Sequence, residues 1–172
     1  PYTTLFRSDK FWSEMDAALT EILTKCKYTP LISARFSKSS FDLEINGQAK
    51  NVTQGKGYCS ILNTIVIMAF RKFLKENAVY NPGLHIIDTP LHGIDEGTKN
   101  ETSESVQNAL FQYFMDSREM GQLIIVENKR TLPKLNYEQN GVNRIIFTGV
   151  VGEEQCGFLH DCKFDLPQSQ EE

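Results

Sequence analysis

The stretch that most constrains this chain is Gly-Leu-His-Ile-Ile-Asp-Thr-Pro-Leu-His-Gly-Ile-Asp-Glu, residues 83 to 96. Leu84, Ile86 and Ile87 form a short apolar run of the kind found in strands buried on both faces of a parallel sheet. The run is cut at Asp88, and Pro90 prevents a central strand from continuing. A carboxylate at the carboxyl end of such a strand stands where open α/β sheets place their ligands. The plainer alternative is a strand-ending Asp that caps a turn.

A second run has the same design. Gln122-Leu-Ile-Ile-Val-Glu follows Gly121 and again ends in a carboxylate, Glu127. Between the two lies a helical pattern over 103 to 119, with Val106, Ala109, Leu110, Tyr113, Phe114 and Met115 facing inward and Ser103 as candidate N-cap. Strand, helix and strand predict a right-handed βαβ unit. Its two strands would deliver Asp88 and Glu127 to one edge.

Upstream, residues 10 to 27 read as a helix. Phe11, Met15, Ala18, Leu19, Ile22, Leu23 and Cys26 repeat at three and four, Asp9 is a candidate N-cap and Pro30 closes the segment. This helix could also continue an upstream coiled coil. Leu31 to Phe36 and Phe41 to Ile45 alternate apolar with polar and predict a hairpin, with turns at Ser37–Ser40 and Asn46-Gly47. A long, nearly all-round apolar helix is expected over 58 to 76. After Pro133 the pattern changes: Asn143 to Gly149 and Cys156 to Leu159 read as short strands, and 167 to 172 as a frayed tail. No repeat divides the chain, and a single domain over 1–172 is expected.

Composition bounds the partners. The net charge of −4 gives no general attraction to nucleic acid or anionic membrane. The longest apolar run, Ile65 to Phe70, is too short to span a bilayer, and the start lacks a secretory pattern. It also lacks Met, as an excised piece would. Cys26, Cys59, Cys156 and Cys162 show no pairing pattern and suit reduced thiols in the cytoplasm. Cys156, His160 and Cys162 make a partial zinc set, but no fourth ligand completes it.

The segment Gln54-Gly-Lys-Gly-Tyr opens the long helix. Its glycines allow close backbone approach, the helix start offers free N–H groups, and Lys56 adds a cation. These features suit phosphate. They are no Walker A loop, because position 50 is Lys and position 57 is Gly where that motif needs Gly and Ser or Thr. The plain reading is a turn that starts a helix.

Taken in order, Gly55-Lys-Gly-Tyr before a long apolar helix, then Leu-His-Ile-Ile-Asp-Thr-Pro-Leu-His-Gly-Ile-Asp-Glu, then Gly-Gln-Leu-Ile-Ile-Val-Glu-Asn, resembles the C-terminal lobe of an SMC-type ABC ATPase head. The nearest kinds are the bacterial coiled-coil ATPases of the SMC, RecF and RecN type. The resemblance covers residues 10 to 160. It implies an α/β fold, a partial P-loop NTPase lobe with a mostly parallel sheet flanked by helices and a small antiparallel hairpin. It also implies nucleotide held between two heads.

On that resemblance Gly55, Lys56 and Gly57 match the signature loop that touches phosphate across the dimer. Asp88 matches the Walker B carboxylate that holds Mg²⁺. The turn from Pro90 to Glu96 matches the D-loop, with Asp95 and Glu96 as its acids, and Glu127 or Asn128 falls at the switch position. ATP and Mg²⁺ are the implied cofactors. The implied partners are an N-terminal lobe of the same head, a second head, and DNA through the full-length protein; no membrane is implied.

Three departures stand out. Thr89 occupies the place of the family's water-positioning Glu, and a hydroxyl is no general base near neutral pH. Glu127 and Glu96 are the substitutes at hand. The signature loop lacks its Ser, and no Walker A loop is present. Hydrolysis is therefore expected only together with a lobe that carries one. DNA repair, chromosome handling or defence against foreign DNA is the implied setting. The rival expectation is a non-catalytic module that dimerises or docks a partner on bound nucleotide.

Overall fold

A computed structural model describes residues 9–53, 56–93, 101–150 and 157. It is mixed helix and strand, in the order α1 (Asp9–Lys25), β1 (Ala34–Phe36), β2 (Leu43–Ile45), β3 (Gln48–Ala49), α2 (Lys50–Thr53), α3 (Lys56–Asn77), β4 (Leu84–Asp88), α4 (Glu101–Asp116) and β5 (Gln122–Val126). A single 3₁₀ turn, Arg118–Met120, leads into β5. The chain falls into two compact units, 1–136 and 137–172.

In the first unit the expected inward face of α1 is buried at every position from Phe11 to Cys26. Asp9 lies within the helix rather than before it. Packed against α1 is α3, whose Ile61, Leu62, Ile65 and Met68 are fully buried. A stretch of α3, Gly57–Asn77, passes a length and apolarity test for crossing a membrane, and half of it is buried inside the protein. Such burial is what a core helix shows. Aromatic rings fill the junction with the hairpin: Phe36 meets Phe11 at 6.1 Å and Phe70 at 5.2 Å, both edge to face.

The antiparallel pieces form one sheet in the order β1-β2-β3, a strand more than a simple hairpin. Asn46 and Gly47, with φ 54° and 79°, make the two-residue turn between β2 and β3. Positive φ at both positions is what the tight hairpin turn requires and why Asn-Gly serves there. Asn46 also ties the sheet to the preceding loop, because its Oδ1 accepts the N–H groups of Ile32 and Ser33. Asp16 of α1 accepts the Phe36 N–H at 2.7 Å, which docks β1 on the helix.

Strands β4 and β5 pair in parallel, in register from Leu84↔Gln122 to Asp88↔Val126, with α4 in the crossover between them. Helix α4 begins at Glu101, two residues ahead of the expected Ser103 cap. It buries Val106, Leu110, Tyr113, Phe114 and Met115 as expected, with Phe111 in addition, while Ala109, also expected inward, is only half-buried.

At the amino end of the ribbon the backbones nearly touch. Gly121, at φ 104°, lies so close to Gly83 that an added Cβ would stand 2.5 Å from the Gly83 carbonyl oxygen. The Gln122 N–H donates to that same oxygen at 2.7 Å. Fully buried Arg71 of α3 reaches this point too, donating to Ser117 Oγ at 3.2 Å and to the Gly121 carbonyl at 2.5 Å.

Two expectations need correction. The ribbon is not buried on both faces. Ile87 is buried, but Leu84, Ile86, Ile124 and Val126 share the opposite face and are 42%, 62%, 39% and 40% exposed. Apolarity on both faces of a strand calls for two covers, and the described residues supply one. In the second unit the expected strand over 143–149 has no regular secondary structure. No neighbouring strand among the described residues offers it a ladder, and Ile145 and Phe147 are exposed. The expected strand at 156–159 lies, apart from Gly157, outside the described residues, as do Cys156, His160 and Cys162 and the tail.

Candidate functional site

The parallel register decides the geometry of the rim. Because Asp88 pairs with Val126, the next residue on the second strand, Glu127, leaves the sheet beside Asp88 at the same edge. The two acids therefore stand at the carboxyl ends of neighbouring strands, at one edge, with Asp88 on the face of Val126 and Glu127 one residue further on. Asp88 is exposed and forms no ion pair among the described residues. Oxygen ligands of this kind suit a hard divalent cation, though no cluster of three or more metal-binding side chains exists among the described residues.

Glu127 has a different environment. Its Oε2 accepts the backbone N–H of Leu91 at 2.9 Å, across the gap to the loop that follows β4. Its Oε1 accepts the N–H of Asn128 at 2.7 Å and the hydroxyl of Thr131 at 2.9 Å. The carboxylate thus joins the exit of β5 to the exit of β4.

Thr89, immediately after Asp88, has φ 48°. Its N–H donates to the Val126 carbonyl at 2.8 Å, and its own carbonyl accepts the His92 N–H at 3.0 Å. Beyond it, Leu91 is buried while His92 is exposed.

Gly57 is buried in the first turn of α3. Beside it the Tyr58 ring lies 6.4 Å from that of Tyr28, and Cys59 Sγ approaches the Lys50 carbonyl at 3.8 Å. No bond joins this helix opening to the Asp88 rim among the described residues. Gly55, the Lys56 side chain, Asp95 and Glu96 lie outside what the structure describes.

Reading the sequence found both acids of the rim. It missed Thr131 and the Leu91 N–H as partners of Glu127, and it missed the buried cation Arg71. The spacing of Thr131 four residues after Glu127 was a readable cue; the reach to Leu91 was not, because it depends on the strands lying side by side. Comparison with known protein families, with curated proteins and with solved structures found no match to this chain.

Proposed function

We propose that this chain is the C-terminal lobe of an ATP-binding, dimeric head of the SMC-like ABC ATPase kind. On this reading Asp88 holds Mg²⁺, Gly55, Lys56 and Gly57 address phosphate across the dimer, and Asp95 and Glu96 meet the second head. The observation that carries this reading is the parallel, in-register pairing of β4 with β5, which sets Asp88 and Glu127 at one rim. Ligands of open α/β sheets bind at that edge.

The chemistry would be phosphoryl transfer to water, driven by positioning and by the charge of Mg²⁺. It requires a second lobe with a Walker A loop, so the lobe alone turns over no ATP. The setting that goes with the reading is cytoplasmic DNA repair, chromosome handling or defence against foreign DNA.

The test is ATP turnover by a head assembled from this chain and a Walker A-bearing lobe. Replacing Asp88 with Ala is expected to lower turnover about a hundredfold or more, the scale of losing one electrostatic contact to the transition state. Unchanged turnover would defeat the assignment.

Two observations favour a second reading, a non-catalytic module that dimerises or docks a partner when nucleotide is bound. Thr89 offers no carboxylate where one would be needed, and Glu127 is already engaged by three protein donors. Dimerisation on ATP without turnover in the assembled head would decide for that module.

A further inference from the structure

The elbow after β4 holds a residue where its chemistry resists being held. Thr89 is β-branched, and at φ 48° it occupies the left-handed region that such residues avoid. It also precedes Pro90, and a residue in that position is ordinarily extended. A conformation of this kind persists only where the surroundings impose it.

Three hydrogen bonds impose it: Thr89 N–H to Val126 O, His92 N–H to Thr89 O, and Leu91 N–H to Glu127 Oε2. Two of the three acceptors belong to the exit of β5. Glu127 is itself braced at its other oxygen by Asn128 and Thr131. Three of the roughly four lone-pair positions of a carboxylate are then in use. The position left is on Oε2, so a water taken there would share the oxygen that already holds the elbow through Leu91.

We propose that Glu127 is a positioning residue, which locks the 88–92 elbow and so fixes the direction in which Asp88 is presented. The metal-presenting half of this rests on the reading of Asp88 given above; the lock itself does not. The inference moves Glu127 from the water-activating role that its place in the sequence suggested to one exerted through another residue.

The experiment uses the full chain, labelled with ¹⁵N. It follows amide hydrogen exchange at Leu91 and the broadening of resonances around Asp88 by Mn²⁺. In Glu127→Ala, exchange at Leu91 should rise about tenfold or more, the size expected from local opening when one charged hydrogen bond is lost. Exchange at Ile86 within the strand should stay unchanged, and Mn²⁺ should bind severalfold more weakly. Asp88→Asn should abolish Mn²⁺ broadening with Leu91 still protected.

Adding Thr89→Gly to Glu127→Ala should restore part of the Mn²⁺ affinity, because glycine accepts positive φ without strain, while the Leu91 N–H, still without its acceptor, stays unprotected. This double variant also serves if Glu127→Ala alone does not fold. Leu91 exchange in Glu127→Ala within twofold of the parent overturns the lock. Loss of Mn²⁺ in Glu127→Gln as complete as in Asp88→Asn, with Leu91 still protected, makes Glu127 a metal ligand and overturns the positioning role. Absence of Mn²⁺ broadening in the parent chain overturns the metal half of the proposal, and Leu91 exchange then judges the lock alone; the Asp88 reading itself is judged by turnover of the assembled head.

Discussion

His85 is a single residue with a readable consequence for pH. Its Nδ1 is buried and has no hydrogen-bond partner among the described residues. Burial, and secondarily the nearby Arg71 guanidinium, hold its pKa below the ordinary 6.5. The unfolded chain therefore binds this proton more readily than the folded one, and stability rises with pH where that difference exists. The expected result is a loss of stability as pH falls through 6.5, continuing until the lowered folded-state value is passed. Thermal unfolding across this window should show a shallower acid limb for His85→Gln than for the parent chain. Cys26 offers a second check at the same scale. Burial pushes its thiol up to about 12, so the thiolate is scarce at neutral pH. Iodoacetamide followed by peptide mapping should leave Cys26 unmodified in the folded protein and alkylate it in denaturant.

At the scale of elements, the β4–β5 ribbon separates its two faces energetically. Ile87 is 4% exposed and Ile86 is 62% exposed. Ile87→Ala should cost about 2–4 kcal/mol in denaturant unfolding, while Ile86→Thr should stay within about 0.5 kcal/mol. Arg71 links α3 to the start of β5 through Ser117 and the Gly121 carbonyl. Arg71→Ala should destabilise by about 3 kcal/mol, by removing a buried donor and leaving space. Arg71→Met fills the space and avoids burying a charge, so its cost should be smaller.

The helices were legible because most residues at three-and-four spacing had somewhere to go: Phe11, Met15 and Leu19 are buried as their spacing demanded. The Asn46-Gly47 turn was legible because few residue pairs tolerate its backbone. The rim was legible in part, since a carboxylate closing an apolar run can be read directly. What Glu127 touches could not be read, because Leu91 is 36 residues away and is reached only once the strands have paired. The left-handed Thr89 ran against local preference, and only tertiary bonds explain it. Ile145 and Phe147 carry the local preference of a strand, but no strand among the described residues pairs with their segment, so preference alone misled.

For the whole molecule, every helix and strand among the described residues falls within the first unit, 1–136. A chain ending at Asn136 should therefore keep the helical far-ultraviolet circular dichroism of the longer one and unfold cooperatively, as a unit with its own core does. Loss of the cooperative transition would show that the second unit is needed for folding.

The contact between Gly83 and Gly121 reaches further than its size suggests. Strands can slip by one residue, and each slip turns every side chain to the opposite side. Any residue larger than glycine at 121 would collide with the Gly83 carbonyl, so the two chains meet there at one offset only. The choice of which residues stand opposite each other at the acid rim is thus made at the end of the ribbon farthest from it. Gly121→Ala should misalign Asp88 and Glu127 without touching either.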